Sequence, residues 1–240
     1  MNTTSGQLAS FYPHLAPHAT PDPHAIDAAL LDSVRQKSGE SLVVKQAFFE
    51  AHGVDVVRAA HIVADCYRNG GRLFTLGNGG SSCDAPHIAV EFSHPVTAGR
   101  PALPAQNLAQ DMAMITAVGN DVGIDNIYER QVLGLVSNGD CAIGVSTSGN
   151  SRNVLRGLEA AKQLGAGTIA LTGSDGGEMA RAGYVDLCLC VGSDSLHRIQ
   201  ETHVAIYHIL WDLVHTLLAS DRGPAGSAAA RTEGQDGGAA

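Results

Sequence analysis

The chain has 240 residues, 44% of them hydrophobic and 16% charged, with a formal net charge of −9. That length suits one domain with decorations and buries roughly 70% of the unfolded surface. An acidic chain with no basic run is a poor partner for a phosphate backbone, and no apolar stretch approaches ~18 residues, so nucleic-acid binding and membrane spanning both drop out.

Residues 1–24 are rich in Pro, His, Thr and Ala without periodicity. They contain no basic stretch followed by an apolar one, so they do not read as a secretory leader. Residues 221–240 are low-complexity. Neither segment carries enough apolar surface to offset the entropy of ordering, so both are expected to be disordered tails. The expected organisation is a single domain over 25–220 in a cytoplasmic protein. Five cysteines without a CxxC pair fit buried thiols in a reducing compartment.

Two helical stretches are predicted first, over 26–37 and 40–68, the second ending at Gly70-Gly71. Four short apolar runs then follow, each closed by a Gly/Ser/Thr turn: Arg72–Gly77, Cys141–Val145, Thr168–Thr172 and Val185–Val191. A weaker run, Pro104–Leu108, adds a further strand candidate. Helical patterns over 83–93, 111–118, 126–136, 151–164, 177–182 and 195–219 separate them. Continuous apolar strands alternating with helices predict a mainly parallel sheet covered on both faces. The expected architecture is a three-layer α/β/α sandwich with extra helices at both ends.

In such sheets ligands bind at the carboxyl edge of the strands. Three unusual loops fall there: Gly77-Asn78-Gly79-Gly80-Ser81-Ser82, Ser146-Thr147-Ser148-Gly149-Asn150-Ser151 and Thr172-Gly173-Ser174-Asp175-Gly176-Gly177. The second lies just before a predicted helix. Free backbone N–H groups, the positive end of the helix dipole and four hydroxyls make an anion site without Lys or Arg. The missing cation points to a small phosphate monoester rather than a triphosphate. Neither a Walker A lysine nor GxGxxG is present.

His87 and Glu91 are four apart on a predicted helix and share a face. Gln200 and His208 lie eight apart on the last helix. Imidazoles with carboxylate and amide oxygens suit a divalent ion such as Zn²⁺. Spacing does not choose among His203, His208 and His215, and each reads equally as a core histidine. Pro86 belongs in a first helical turn, which makes Asp84 a candidate N-cap.

GNGGSSCDAPH at 77–87, VGND at 118–121, STSGNS at 146–151, LTGSDGG at 171–177 and RIQETHVAIYH at 198–208 together resemble the sedoheptulose 7-phosphate (phosphoheptose) isomerases of the sugar isomerase, or SIS, fold. The likeness covers about residues 45–219. It implies a flavodoxin-like SIS domain that interconverts sedoheptulose 7-phosphate and D-glycero-D-manno-heptose 7-phosphate through an enediol. By that resemblance His87, Glu91, Gln200 and His208 hold one zinc ion per subunit, and Glu91 and His208 are catalytic. Asn78, Gly79, Gly80, Glu91, Asn120, Asp121, Ser146, Thr147, Ser148, Ser151 and Gln200 contact the sugar phosphate. The resemblance also implies a homotetramer with active sites at subunit interfaces. Three positions depart from the family pattern: Val90 stands for a second acid, Ser93-His94-Pro95 for a segment with an arginine, and His197 for an aspartate. The alternative reading is a non-catalytic SIS tetramer that binds a sugar phosphate or a protein such as a replication initiator. A sugar-phosphate-sensing regulator would bring an extra domain that 240 residues do not hold.

Overall fold

The structure is a computed structural model and describes residues 23–221. Both predicted tails fall outside those residues, apart from the helical ends at 23–24 and 221. The chain divides into two units, residues 1–40 and residues 41–240. Helix α1 runs from Pro23 to Arg68 as one element. The predicted break between 37 and 40 is absent. Gly39 costs about 1 kcal/mol against alanine in a helix interior but does not stop one. Side-chain pairs hold this stretch, Arg35 to Asp32 at 3.1 Å and Gln36 to Glu40 at 2.8 Å.

The remaining elements are β1 (Leu73–Gly77), α2 (Ser81–Ser93), β2 (Ala105–Asn107), α3 (Met112–Asp121), a 3₁₀ turn (Ile124–Asn126), α4 (Ile127–Leu135), β3 (Cys141–Ser146), α5 (Arg152–Gln163), β4 (Gly167–Gly173), β5 (Leu187–Val191) and α6 (Leu196–Asp221). All five predicted strands form. They make one parallel sheet in the order β2-β1-β3-β4-β5. The three-layer sandwich is therefore observed. Alternate strand residues feed two cores, as a period of two requires. Leu73, Cys141, Ile143, Val145, Ile169 and Leu171 pack with the second half of α1, α2 and α6. Phe74, Leu76, Ala142 and Ala170 pack under α4 and α5 with Val118 of α3.

Two local expectations are corrected. Residues 177–182 form successive turns rather than a helix. Gly176 and Gly177 both take left-handed φ, +80° and +57°, so no helical nucleus propagates from them. Helix α2 begins at Ser81 with Gly80 as its cap, so Asp84 lies inside it and Pro86 falls in its second turn. By contrast, Asp111 caps α3, accepting from the Met114 N–H at 2.9 Å.

Strand order reverses between β1 and β3, which lie side by side with β2 to one flank and β4 to the other. That switch point is where open α/β sheets take ligands. The first and second loops singled out in the sequence emerge there, and the third emerges from β4 alongside.

Candidate active site

The three loops are tied together by hydrogen bonds. Asn78, after β1, exchanges amide bonds with Asn153 in the first turn of α5, at 2.6 and 3.0 Å. The Tyr128 hydroxyl donates to Gly77 O and reaches Asn78 Oδ1 at 3.3 Å. Ser146 and Ser151 share a hydrogen bond between hydroxyls at 2.9 Å, so the Ser151 side chain does not cap α5. The loop after β4 closes on the loop after β3. Gly149 O accepts from Met179 N at 3.0 Å, and Asn150 Oδ1 accepts from Glu178 N at 2.9 Å. Ser148 Oγ accepts from Asn150 N at 3.3 Å. Asn153 and Tyr128 were not singled out in the sequence. A lone asparagine and a helix-borne tyrosine carry no pattern of their own.

The candidate ligands come from two helices. In α2, Glu91 follows His87 by one turn, and His87 Nε2 stands 3.2 Å from Glu91 Oε1. In α6, His208 presents Nε2 3.4 Å from His87 Nε2 and 4.0 Å from Glu91 Oε1. One ligand atom from each lies within 4.8 Å of the others, a group of two imidazoles and a carboxylate that suits a divalent transition ion. Their side chains remain 40%, 21% and 44% exposed, so the group is open to solvent in the single chain. Two further contacts support it through Trp211 of α6. Trp211 Nε1–H donates to the Glu91 backbone carbonyl at 2.8 Å, and the Arg100 guanidinium lies over the Trp211 ring, 4.4 Å from its centre.

Gln200 lies in the second turn of α6, beside the loop after β1. Its amide packs so closely against Gly80 that a Cβ there would stand 2.2 Å from Gln200 Nε2. Gly79 takes left-handed φ in the same loop. Thr147 is half-buried between the two serines. Asn120 and Asp121 bond to each other at 2.9 Å, exposed at the end of α3, and the structure does not join them to either the loops or the triad. Of the three departures from the family pattern, Val90, His94 and His197 are all exposed.

The other two histidines of α6 belong to the core. His203 is fully buried and its Nε2–H donates to Thr172 O at 2.9 Å. Burial pushes its imidazole down to about 4, the carbonyl bond opposing that in part. His215 is stacked on Phe92 and stands edge-on to Trp211. Asp84 is buried one turn before His87. Burial raises its carboxyl to about 6, with His87 pulling the other way, and its Oδ2 has no hydrogen-bond partner among the described residues.

His203 gives the fold an acid-labile point. Its unfolded-state value is about 6.5 and its folded value about 4, so unfolded chains take up a proton first as pH falls. The stability it contributes is present above 6.5 and lost between 6.5 and 4, a loss of up to about 3 kcal/mol. Urea midpoints measured from pH 7 to 4.5 should therefore fall less steeply in His203→Gln, which keeps a donor for Thr172 O. Equal slopes in both proteins would contradict this.

Among the described residues no helix is long and apolar enough to cross a membrane. The SIS domain family matches residues 39–173. The phosphoheptose isomerase of Aquifex aeolicus (strain VF5) is 43% identical over 79% of this chain and 98% of its own length. A phosphoheptose isomerase structure from Francisella tularensis superposes with a TM-score of 0.74 at 34% identity, covering 78% of this chain and 98% of that one. The corresponding enzyme from Neisseria gonorrhoeae gives 0.72 at 36% identity, covering 78% and 99%. These relatives carry the name of an enzyme, and the non-catalytic alternative is not favoured. Because the likeness runs through almost the whole of these proteins rather than through one loop, the chain belongs to the phosphoheptose isomerase family, within the SIS domain proteins.

Proposed function

We propose that this chain isomerises sedoheptulose 7-phosphate to D-glycero-D-manno-heptose 7-phosphate, with Glu91 as base and His208 as acid. The observation that carries this reading is the approach of Glu91 Oε1 and His208 Nε2 to 4.0 Å, from separate helices. Aldose–ketose isomerisation moves one carbon-bound proton to the neighbouring carbon. A base removes it from C1 of the ketose, an enediol forms, and an acid returns a proton at C2 while the carbonyl shifts to C1. A carboxylate and an imidazole are suited to those two transfers.

His87, Glu91 and His208, with Gln200 as a fourth donor, would hold a divalent ion, zinc by family resemblance. Two imidazoles and a carboxylate already gathered within reach of one another fit that ion. When bound, such an ion polarises the sugar's carbonyl oxygen as a Lewis acid. Ser146, Thr147, Ser148 and Ser151 at the start of α5 would hold the phosphate through hydroxyls and free N–H groups. Asn78, Gly79, Gly80, Asn120, Asp121 and Gln200 would line the rest of the sugar. Along α2, His87 lies about 9 Å and Glu91 about 15 Å from the first residue of the helix. The phosphate is carried on C7 and the reacting carbons are C1 and C2, so the two ends of an extended sugar would occupy different parts of the site.

The same reading includes a cytoplasmic homotetramer. Ile26, Leu30, Leu31 and Val34 in the first unit, and Leu42, Val43, Val54 and Val57 in the second, are all exposed. Apolar surface of this kind is covered when copies associate. The deciding experiment incubates the purified chain and Zn²⁺ with sedoheptulose 7-phosphate and reads the product by NMR, since the isomers share a mass. No aldoheptose phosphate would refute the activity. Light scattering on the same preparation should give four chains per particle, and a fully active monomer would refute the assembly.

A further inference from the structure

Tyr207 precedes His208 on α6, and its ring is buried at 2% exposure. Its hydroxyl stands 2.8 Å from His87 Nδ1, with the two rings edge to face at a centroid distance of 5.1 Å. The other nitrogen of His87, Nε2, is the one that faces Glu91 and His208. Both ring nitrogens of His87 are therefore engaged, one on the ligand side and one behind it.

In the neutral ring, the chemistry of the partners decides which nitrogen carries the proton. An ionised carboxylate only accepts, so opposite Glu91 Oε1 the Nε2 position must donate, and Nδ1 then accepts from the Tyr207 O–H. Were Nε2 to offer its lone pair to a cation, the proton would sit on Nδ1, and the same phenolic oxygen could accept it. A hydroxyl serves both arrangements. A carboxylate or carbonyl behind the ring would serve only the second, and a phenylalanine neither. Partners behind a ligating imidazole set its tautomer and ring plane, and their loss costs about 10- to 100-fold in metal affinity or activity.

We propose that Tyr207 is a positioning residue: its hydroxyl holds the ring plane of His87 from behind, so that Nε2 faces Glu91 and His208 and the Glu91 carboxylate then sets the tautomer. Without that hold the ring turns away from Glu91 and the preference is lost. The metal part of this inference rests on reading those three residues as a metal centre. Tyr67 supplies an internal control. It is also a largely buried tyrosine, but its hydroxyl has no hydrogen-bond partner among the described residues.

The experiment compares full-length wild type, Tyr207→Phe and Tyr67→Phe. Side-chain ¹⁵N spectra of chelator-treated protein above neutral pH report the His87 tautomer, and Zn²⁺ affinity is measured by competition with a chromophoric chelator. Wild type and Tyr67→Phe should show a single His87 tautomer protonated at Nε2, and Tyr207→Phe a mixture of both. Zinc affinity should fall about 10- to 100-fold in Tyr207→Phe only, with the thermal midpoint of the metal-free protein within a few degrees of wild type. A Tyr207→Phe spectrum identical to wild type overturns the proposal. So does a lost tautomer preference in Tyr67→Phe as well, since any buried hydroxyl would then suffice. If wild type takes up no Zn²⁺, the metal-centre reading fails, and the spectra still decide whether Tyr207 positions His87.

Discussion

Glu91→Gln and His208→Asn are each expected to lower kcat for sedoheptulose 7-phosphate on the order of 10²-fold or more, the scale of a lost general acid or base. Glutamine keeps the shape of Glu91 but can neither take the proton nor carry the charge. Asparagine at 208 removes the imidazole from α6 while leaving Tyr207 and Trp211 in place. Neither side chain belongs to the two apolar cores, and the Trp211 bond to residue 91 uses the backbone carbonyl, which survives substitution. Both variants should therefore fold and associate as wild type does. Zinc content should drop in both, more clearly in His208→Asn, because a neutral imidazole is a better zinc ligand than a carboxamide. Wild-type turnover in both variants would take the proton transfers away from this pair.

Four of the strands were legible because each is a short apolar run ended by glycine, serine or threonine, whereas β2, Ala105–Asn107, carries two polar residues and gave only a weak signal. Pattern reading failed where one residue carried conflicting signals. Gly39 reads as a break, yet 46 residues of helix pass through it. Pro86 reads as a helix start, yet α2 begins five residues earlier. The paired glycines 176 and 177 defeat a helical pattern that the following residues alone support. At the candidate site, the meeting of His87 and Glu91 on one helix face was legible from their four-residue spacing, while their assignment as ligands came from the family resemblance. His208 was not legible from spacing, because its meeting with α2 depends on both helices covering the same face of the sheet. A usable signal for its neighbour did exist. His203 falls in the buried stripe of Ile199, Ile206, Leu210 and Val214, a helical repeat that marks it as core. The supporting contacts of Tyr207, Trp211, Asn153 and Tyr128 join elements far apart in the chain, and only the assembled sheet brings them together.

Gly149→Ala is expected to destabilise the protein by about 2–5 kcal/mol and to weaken sugar-phosphate binding with it. Two independent effects combine at this residue. Its φ of +64° is left-handed, where a Cβ costs about 1–2 kcal/mol. That Cβ would also stand 2.0 Å from Gly176 O and 2.5 Å from Gly176 C. The obstacle is backbone, so no side chain can swing away, and relief requires the loops after β3 and β4 to part, at about 1–3 kcal/mol. Parting them would stretch the Met179 N–H bond to Gly149 O and the Glu178 N–H bond to Asn150 Oδ1. Gly70→Ala separates the two effects, because Gly70 has a φ of +74° with no atom near its would-be Cβ. It should lose only the conformational part, about 1–2 kcal/mol. Urea midpoints of the two variants measure the difference, and equal losses would mean the loop contact has no weight. The kinetic consequence follows from the proposed phosphate site. On that proposal Ser146, Thr147, Ser148 and Ser151 would hold a group remote from the reacting carbons, so displacing their loop would remove binding shared by ground and transition states. KM should rise by about tenfold or more while kcat changes far less, and Gly70→Ala should leave both unchanged. A Gly149→Ala enzyme with lowered stability but an unaltered KM would place the phosphate in another loop.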